Sequence, residues 1–466
     1  MVSNESLTLA NVRIEDLLSG ALDIVTLQDG WVRPSRFAQA QLLALTSCMA
    51  WHPGLYRQMA RTTAGISIRF ATDATELALA VRYDEEPSGT SSVLDSIPER
   101  AALVRSKADD GAALVYDLRD HSVAYGAYDG FSVVVDGRPL GACFPRFGAL
   151  HASLRDPKKD PDNGVVALPG LGQRREVTIW LPSLRGCEVR ELWTNGTYVD
   201  PLPSRKRMLV IGDASGQGFC SGDPACAWPA VVSERLGLEL VNQSLEGQVF
   251  QPTALLGADV DDVEHVVIEL GLHYRWERCS ATVVRQDVRG MLNEASRRWG
   301  DARLWVLTPI WFNRMSSPVQ EGSCYDAVAK IIEDVAPRCA ATVVDGLALM
   351  DHSSALFADG VEHPGAKGHA QIARRLLERM AQEDPRLRTY VDVEASQEVA
   401  ASQEVAKLPE DEAQELAEEA LPEDEAQELA EEALPEATKP VAAAKVEVPV
   451  AERPTESIRS RKRRRR

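Results

Sequence analysis

Two spacings of apolar residues divide this chain. Between residues 25 and about 200 they alternate with polar ones over short runs, as in GISIRFATDATELALAVRYD (65–84), which holds two alternating stretches around Thr72-Asp73. Period-two alternation puts successive side chains on opposite faces of a strand, so each run has one face to bury. FSVVVDGRPLGACF (131–144) adds a hairpin signal with Asp136-Gly137 at its turn, and REVTIWLP (175–182) and CEVRELWTNG (187–196) continue the pattern. Burying one face of each strand against a second sheet predicts a jelly-roll-like β-sandwich over residues 25–203, after an N-terminal segment of 1–24.

From Arg207 onward short apolar strands alternate with helical stretches. RMLVIGD (207–213), LELVNQ (238–243), EHVVIELG (264–271), RLWVLTPI (303–310) and CAATVVDG (339–346) read as strands. WPAVVSERLG (228–237), SATVVRQDVRGMLNEASRRWG (280–300), CYDAVAKIIEDVAPR (324–338) and GAKGHAQIARRLLERM (365–380) read as the helices between and after them. That order predicts a flavodoxin-like α/β domain over 204–383, three layers deep, with its functional loops at the carboxyl ends of the strands.

The remainder, 384–466, changes character. ASQEVA occurs at 395 and 401, and LPEDEAQELAEEA at 408 and 421, followed by a partial LPEA. Pro409 and Pro422 suit a first helical turn, but each unit has little apolar surface and its like charges repel at i,i+4, so a disordered or transiently helical tail is expected. Residues 394–436 carry a net charge of -15 and residues 437–466 a net +7, ending in RSRKRRRR, which leaves -11 on residues 1–393. An acidic folded part disfavours a general nucleic-acid surface. The tail is a candidate protein-binding segment, and its basic end reads as a solvated terminus, an anion contact or a nuclear localisation signal in a eukaryotic cell.

Eight cysteines scattered through the chain are ordinary intracellular usage, and Cys220 and Cys226 are the one close pair that spacing offers for a disulfide. The first twenty residues lack the basic start and apolar core of a secretory signal, and no stretch approaches a membrane span. The expectation is a cytoplasmic protein without a membrane role.

Candidate chemistry gathers at four blocks: GDASGQG (212–218), VNQSLEGQ (241–248), IELGLHYRW (268–276) and LFADGVEHPGAKGHAQIA (356–373). In this order they resemble the SGNH or GDSL hydrolase superfamily, in its esterase-like branch with an N-terminal β-sandwich. The resemblance covers roughly residues 40–380. It implies acyl or acetyl ester hydrolysis of a small molecule or carbohydrate, without cofactor or metal.

The family serine of Gly-Asp-Ser-x-x-x-Gly falls on Ala214, so the usual nucleophile is absent. Ser215 is the available replacement, and it is equally a turn or helix-capping hydroxyl; Ser221 and Ser244 are weaker candidates. The second block implies Asn242 at a strand end and Gly247 with its N–H toward an oxyanion hole, although a plain turn glycine reads the same. In the third block His273 stands where the family has an asparagine donor; it serves the oxyanion or lines the cleft wall. In the fourth, His363 is the implied general base. Asp359 would orient it from minus four rather than the family's minus three, and His369 reads as a structural helix residue.

Asp351 and His352 lie close by in sequence, but their spacing to Asp359 and His363 fits no zinc pattern, and GDASGQG lacks a P-loop or dinucleotide fingerprint. Trp51 and Tyr56 in CMAWHPGLYRQ (48–58) are candidates for a domain interface or ordinary packing. Two functions follow: an esterase using Ser215, His363, Asp359, Gly247 and His273, or a non-catalytic hydrolase fold that binds partners through its cleft and tail.

Overall fold

Asp136 and Gly137 both take positive φ, 50° and 78°, and turn the strand Phe131–Val135 directly into Arg138–Cys143. Such a turn matches the twist of a two-residue hairpin, and glycine at its second position takes the left-handed conformation without steric cost. The computed structural model describes residues 7–45, 56, 58–84, 130–143, 145, 148–154, 173–276 and 278–389. Trp51 and the charged repeats after residue 389 lie outside the described residues.

The N-terminal strands form two antiparallel sheets. One runs Asp23–Thr26, Val32–Ser35, Cys187–Thr194, Glu76–Tyr83, Ala149–Ser153, with Thr8–Leu9 also on Cys187–Thr194. The other runs Val199–Pro201, Ser67–Thr72, Arg175–Trp180, Phe131–Val135, Arg138–Cys143, with Leu18–Ser19 also on Ser67–Thr72. The two alternating stretches of 65–84 are therefore not a hairpin: Ser67–Thr72 and Glu76–Tyr83 belong to different sheets. Ile68, Phe70, Leu77, Leu79, Val133 and Ile179 fill the space between the sheets.

Ser67–Thr72 is buried on both faces, against the half-solvated pattern its alternation suggests. The reason is the parallel-sheet layer packed against it. Trp180 joins the hydrophobic core of the α/β layer, the Gly20 N–H donates to Glu239 at 2.9 Å, and a Cβ on Gly65 would stand 2.6 Å from Asn242 Cβ.

The parallel sheet has the order Glu239–Asn242, Arg207–Gly212, Val263–Glu269, Arg303–Leu307, Ala341–Val344, the flavodoxin-like 2-1-3-4-5 arrangement. Helices Ala281–Arg298 and Tyr325–Val335 pack on one face around Val288, Met291, Val328 and Ile332. Trp228–Arg235 and Ala366–Glu383 cover the other around Trp228, Val232, Ile372 and Leu376. Apolar positions recurring every three or four residues give each helix one stripe to bury, and two such layers enclose the sheet.

A disulfide joins Cys279 to Cys324, 45 residues apart. Cys220 and Cys226, the pair close in sequence, are both free thiols. Spacing along the chain misses this bond because the fold itself brings together the segment after one strand and the start of the helix Tyr325–Val335. No helix among the described residues is long and apolar enough to cross a membrane.

Candidate active site

All four sequence blocks meet at the carboxyl end of the parallel sheet. The strand Arg207–Gly212 runs into Asp213, whose Oδ1 accepts the Ser215 N–H at 3.1 Å and caps a one-turn helix, Ala214–Gln217. Gly218 ends that turn at φ 102°, with Ala227 and Ser183 so near that a Cβ would sit 3.2 Å from each. Ala214, 6% exposed, packs with Phe219 and Leu245.

Ser215 faces elsewhere. Its Oγ accepts the Trp228 indole N–H at 3.2 Å and makes no hydrogen bond with His363. One residue along a helical turn rotates a side chain by about 100°, which explains the change of direction. The other hydroxyls are also placed elsewhere: Ser221 Oγ donates to the Asp223 carbonyl at 3.0 Å, and Ser244 Oγ is packed beneath Gly216.

Asp359 and His363 come together. Nδ1 of His363 lies 2.7 Å from Asp359 Oδ2, while Asp359 Oδ1 accepts the N–H groups of Val361, Glu362 and His363 at 2.8, 2.9 and 3.2 Å. The extra residue is absorbed by Gly360 at φ 70°, and the Ala358 N–H closes the loop onto the His363 carbonyl at 2.8 Å. Burial opposes charge on both partners. The hydrogen bond and attraction between them outweigh it, holding Asp359 below the usual carboxylate range and raising His363 above its ordinary value.

The second block forms a loop tied to the first and to the N-terminal region. Asn242 Nδ2 donates to the Gly216 carbonyl at 2.8 Å, and the Leu245 N–H to the Gly212 carbonyl at 2.9 Å. Arg36, fully buried, donates to the carbonyls of Asn242 and Ser244 at 2.9 and 2.6 Å and to Thr62 and Met59. Burial lowers its pKa to about 9. Tyr56, also buried, donates its hydroxyl to the Gly247 carbonyl at 3.1 Å and accepts the Val249 N–H at 3.2 Å. Gly247 takes φ 78°, a conformation that a side chain would strain.

His273 sits in the turn Leu272–Arg275 after the third strand, its Nε2 3.8 Å from Asp213 Oδ2 and 3.9 Å from Glu246 Oε1. Arg275, buried in the same turn, pairs with Glu362 and stacks on Trp276, 4.2 Å from the ring centre. This pair ties the His273 turn to the His363 loop.

Glu246, Glu269 and Arg275 are the charged groups that the four-block reading overlooked. Glu269 ends the third strand beneath Asp213 and receives the Asp213 N–H at 3.3 Å. Burial first, then the charge of Asp213, raises Glu269 well above the normal carboxylate range. Glu246 is pushed up to about 7 by burial, with Asp213 adding to the rise while His363, Arg275 and the Gly247 N–H oppose it. One signal was available: an acid immediately before the glycine expected to serve an oxyanion is an unusual neighbour for developing negative charge.

His369 accepts the Trp228 N–H at Nδ1, 3.2 Å, and donates from Nε2 to the Phe219 carbonyl at 2.9 Å, a structural bridge under the short helix. Burial lowers its pKa to about 4. His352 stacks flat on Trp311 at 5.3 Å and Asp351 pairs with Arg375, both apart from the dyad. Asp359, Glu362 and His363 bring three ligand-type atoms within 4.8 Å, but Asp359 is engaged by His363 and Glu362 by Arg275, so internal pairing accounts for the cluster.

Residues 210–371 match the model of the GDSL-like lipase/acylhydrolase family. No curated protein matches the chain. Among solved structures, the salicylyl-acyltransferase from a tetracycline biosynthetic pathway is similar at TM-score 0.57 and 16% identity, over 82% of this chain and 96% of that one. A protein described as a putative GDSL-like lipase from Bacteroides ovatus ATCC 8483 gives TM-score 0.55 and 14% identity, over 81% and 98%. At these identities the likeness is one of fold, and it spans both the sandwich and the parallel sheet.

Proposed function

With residues 210–371 forming a GDSL-like lipase/acylhydrolase domain, we propose that the chain hydrolyses an acyl or acetyl ester of a small molecule or carbohydrate, using a water activated by His363 in place of a serine. The observation that carries this reading is the buried Asp359–His363 pair, held at 2.7 Å in the loop that the family pattern assigns to its base. Asp359 accepts a hydrogen bond from the Nδ1–H, so Nε2 keeps a lone pair able to take a proton from water. Serine and alanine differ by one oxygen atom, and on this reading the oxygen of the attacking water takes the part of the missing hydroxyl. Water attacks the carbonyl directly, and no acyl-enzyme forms.

The family's framework glycine, Gly247, supports the same reading, and His273 supplies a donor where the family has asparagine. Ser215 is left out of the mechanism because its Oγ accepts the Trp228 indole N–H and makes no hydrogen bond with His363. Intact-mass spectrometry during turnover of a short-chain aryl ester tests the proposal. Release of acid with no acyl adduct on the protein, and loss of turnover in His363→Ala, is the expected result; an acyl adduct on any serine contradicts it.

A second reading rests on Ala214 itself, since loss of the nucleophile also suits a cleft that binds an ester without cleaving it. On that reading the charged tail after residue 389 contacts a protein partner. Tight ester binding with no acid release at any pH selects it.

A further inference from the structure

We infer that Glu246 is a catalytic residue of this site: its protonated carboxyl donates to the carbonyl oxygen of the ester, while its ionised form occupies the same place and closes the site. The inference rests on the hydrolase reading above. It begins from position. The Gly247 N–H and His273 are the two groups implied as oxyanion donors, and Glu246 is next to both: it directly precedes Gly247 in the chain, and His273 Nε2 stands 3.9 Å from its Oε1. An acid therefore sits where substrate oxygen would accept hydrogen bonds.

The acid is fixed there. Its own N–H donates to Gln217 Oε1 at 3.1 Å, and Gln217 Nε2 is held by the Ser183 carbonyl at 3.0 Å and Thr62 Oγ1 at 3.3 Å. Glu246 Oε2 is buried and has no hydrogen-bond partner among the described residues. A buried carboxyl oxygen without a partner is costly, and a bound carbonyl oxygen facing a carboxyl O–H removes that cost.

The groups facing Glu246 come from every neighbouring element: Asp213 after the first strand, Cys220 after the short helix, His273 and Arg275 after the third strand, and His363 with Asp359 before the last helix. Ionised, Glu246 repels an oxyanion in a site with little water to screen it. Protonated, it is a donor in the correct place, as a carboxylic acid kept neutral by its surroundings can be.

The proton balance closes. His363 Nε2 takes a proton from water as the water oxygen bonds to the carbonyl carbon, and the tetrahedral oxyanion accepts a hydrogen bond from Glu246. Collapse breaks the bond to the alcohol oxygen, which takes the proton from His363 and leaves as alcohol. Glu246 ends with the proton it began with. The working state has His363 neutral and Glu246 protonated; it holds the same number of protons as the state in which both are charged, so the ratio of the two does not depend on pH.

The test compares wild type with Glu246→Gln and Glu246→Ala. Glutamine is a permanent donor, so kcat/KM for an aryl ester should lose its fall on the alkaline side, while alanine lowers the rate by about 10²–10³-fold. Glu246→Gln as inactive as alanine, or an unchanged alkaline fall, overturns the inference. Acetate binding, read by the ¹³C resonance of the Glu246 carboxyl in wild type, needs neither turnover nor a variant. Acetate should raise the apparent pKa of Glu246, because the protein and ligand carboxylates compete for the same donors. An unmoved or lowered pKa overturns the inference, whereas a raised one in a protein inert toward every ester keeps the Glu246 site and removes only the hydrolase reading.

Discussion

Ser215 Oγ accepts the indole N–H of Trp228 at 3.2 Å, a bond that ties this hydroxyl to the first turn of the helix Trp228–Arg235. The proposed mechanism gives Ser215 no role as a nucleophile. Wild-type protein should therefore not react with a serine-directed fluorophosphonate, whereas Ala214→Ser, which returns the oxygen to the family position, should be labelled in a His363-dependent manner. Labelling of wild type at Ser215 would contradict this assignment. Ser215→Ala leaves the indole N–H without its acceptor and should lower stability by about 1–3 kcal/mol in urea unfolding.

Arg36 connects the N-terminal region to the loop of the candidate oxyanion donor. Its partners are carbonyls and one hydroxyl, with no carboxylate among them. Arg36→Met removes donors from several buried carbonyls, and a loss of about 3 kcal/mol or more is expected. Because Asn242 and Ser244 are among those partners, kcat should fall as well. A shift confined to the unfolding midpoint would show that the loop holds its shape without Arg36.

Much of the fold was legible because hydrophobic period decides it. Met208 to Ile211 and Val266 to Ile268 are continuous apolar runs, as strands buried on both faces must be, and the five-strand parallel sheet followed from them. Ser67–Thr72 misled by the same rule: its alternation implied a solvated face, and the covering domain lies elsewhere in the sequence. Within the site, Asp359 and His363 were readable as neighbours in one loop, and Gly247 as a turn glycine. Glu269, Arg275 and the Cys279–Cys324 bond were not, and Glu246 showed only as an acid beside that glycine. Their importance lies in groups far along the chain that only folding brings near, and no local period records that.

The two histidines of the last block should respond to acid in opposite ways. His363 is raised in the folded protein, so its contribution to stability is complete below about pH 6.5 and is lost as pH rises through its folded value. His369 is lowered to about 4. Its contribution is complete above about pH 6.5 and disappears as pH falls toward 4, a change of about 3 kcal/mol. Urea unfolding against pH should show the loss on acidification in wild type and a shallower slope in His369→Gln. Equal slopes would mean that His369 is not held neutral.

The Cys279–Cys324 bond closes a 45-residue loop next to the turn that carries His273. Constraint of the unfolded chain over that length corresponds to about 4 kcal/mol. Cys324→Ser should lower stability by an amount of that order and weaken ester binding, with the reduced wild type behaving alike. Unaltered binding would show that the His273 turn keeps its shape without the disulfide, through the Arg275–Glu362 pair and the hydrogen bonds from Gln320 and Ser323.

The most direct measurement is the hydrolysis rate of a short-chain aryl ester by purified wild type, Ser215→Ala and His363→Ala, each confirmed as folded. Water activated by His363 predicts turnover in wild type, a rate within about threefold of it in Ser215→Ala, and a loss of about 10²–10⁴-fold in His363→Ala. Abolition of the rate by Ser215→Ala, or equal inertness of all three from about pH 5 to about pH 9, would contradict the account.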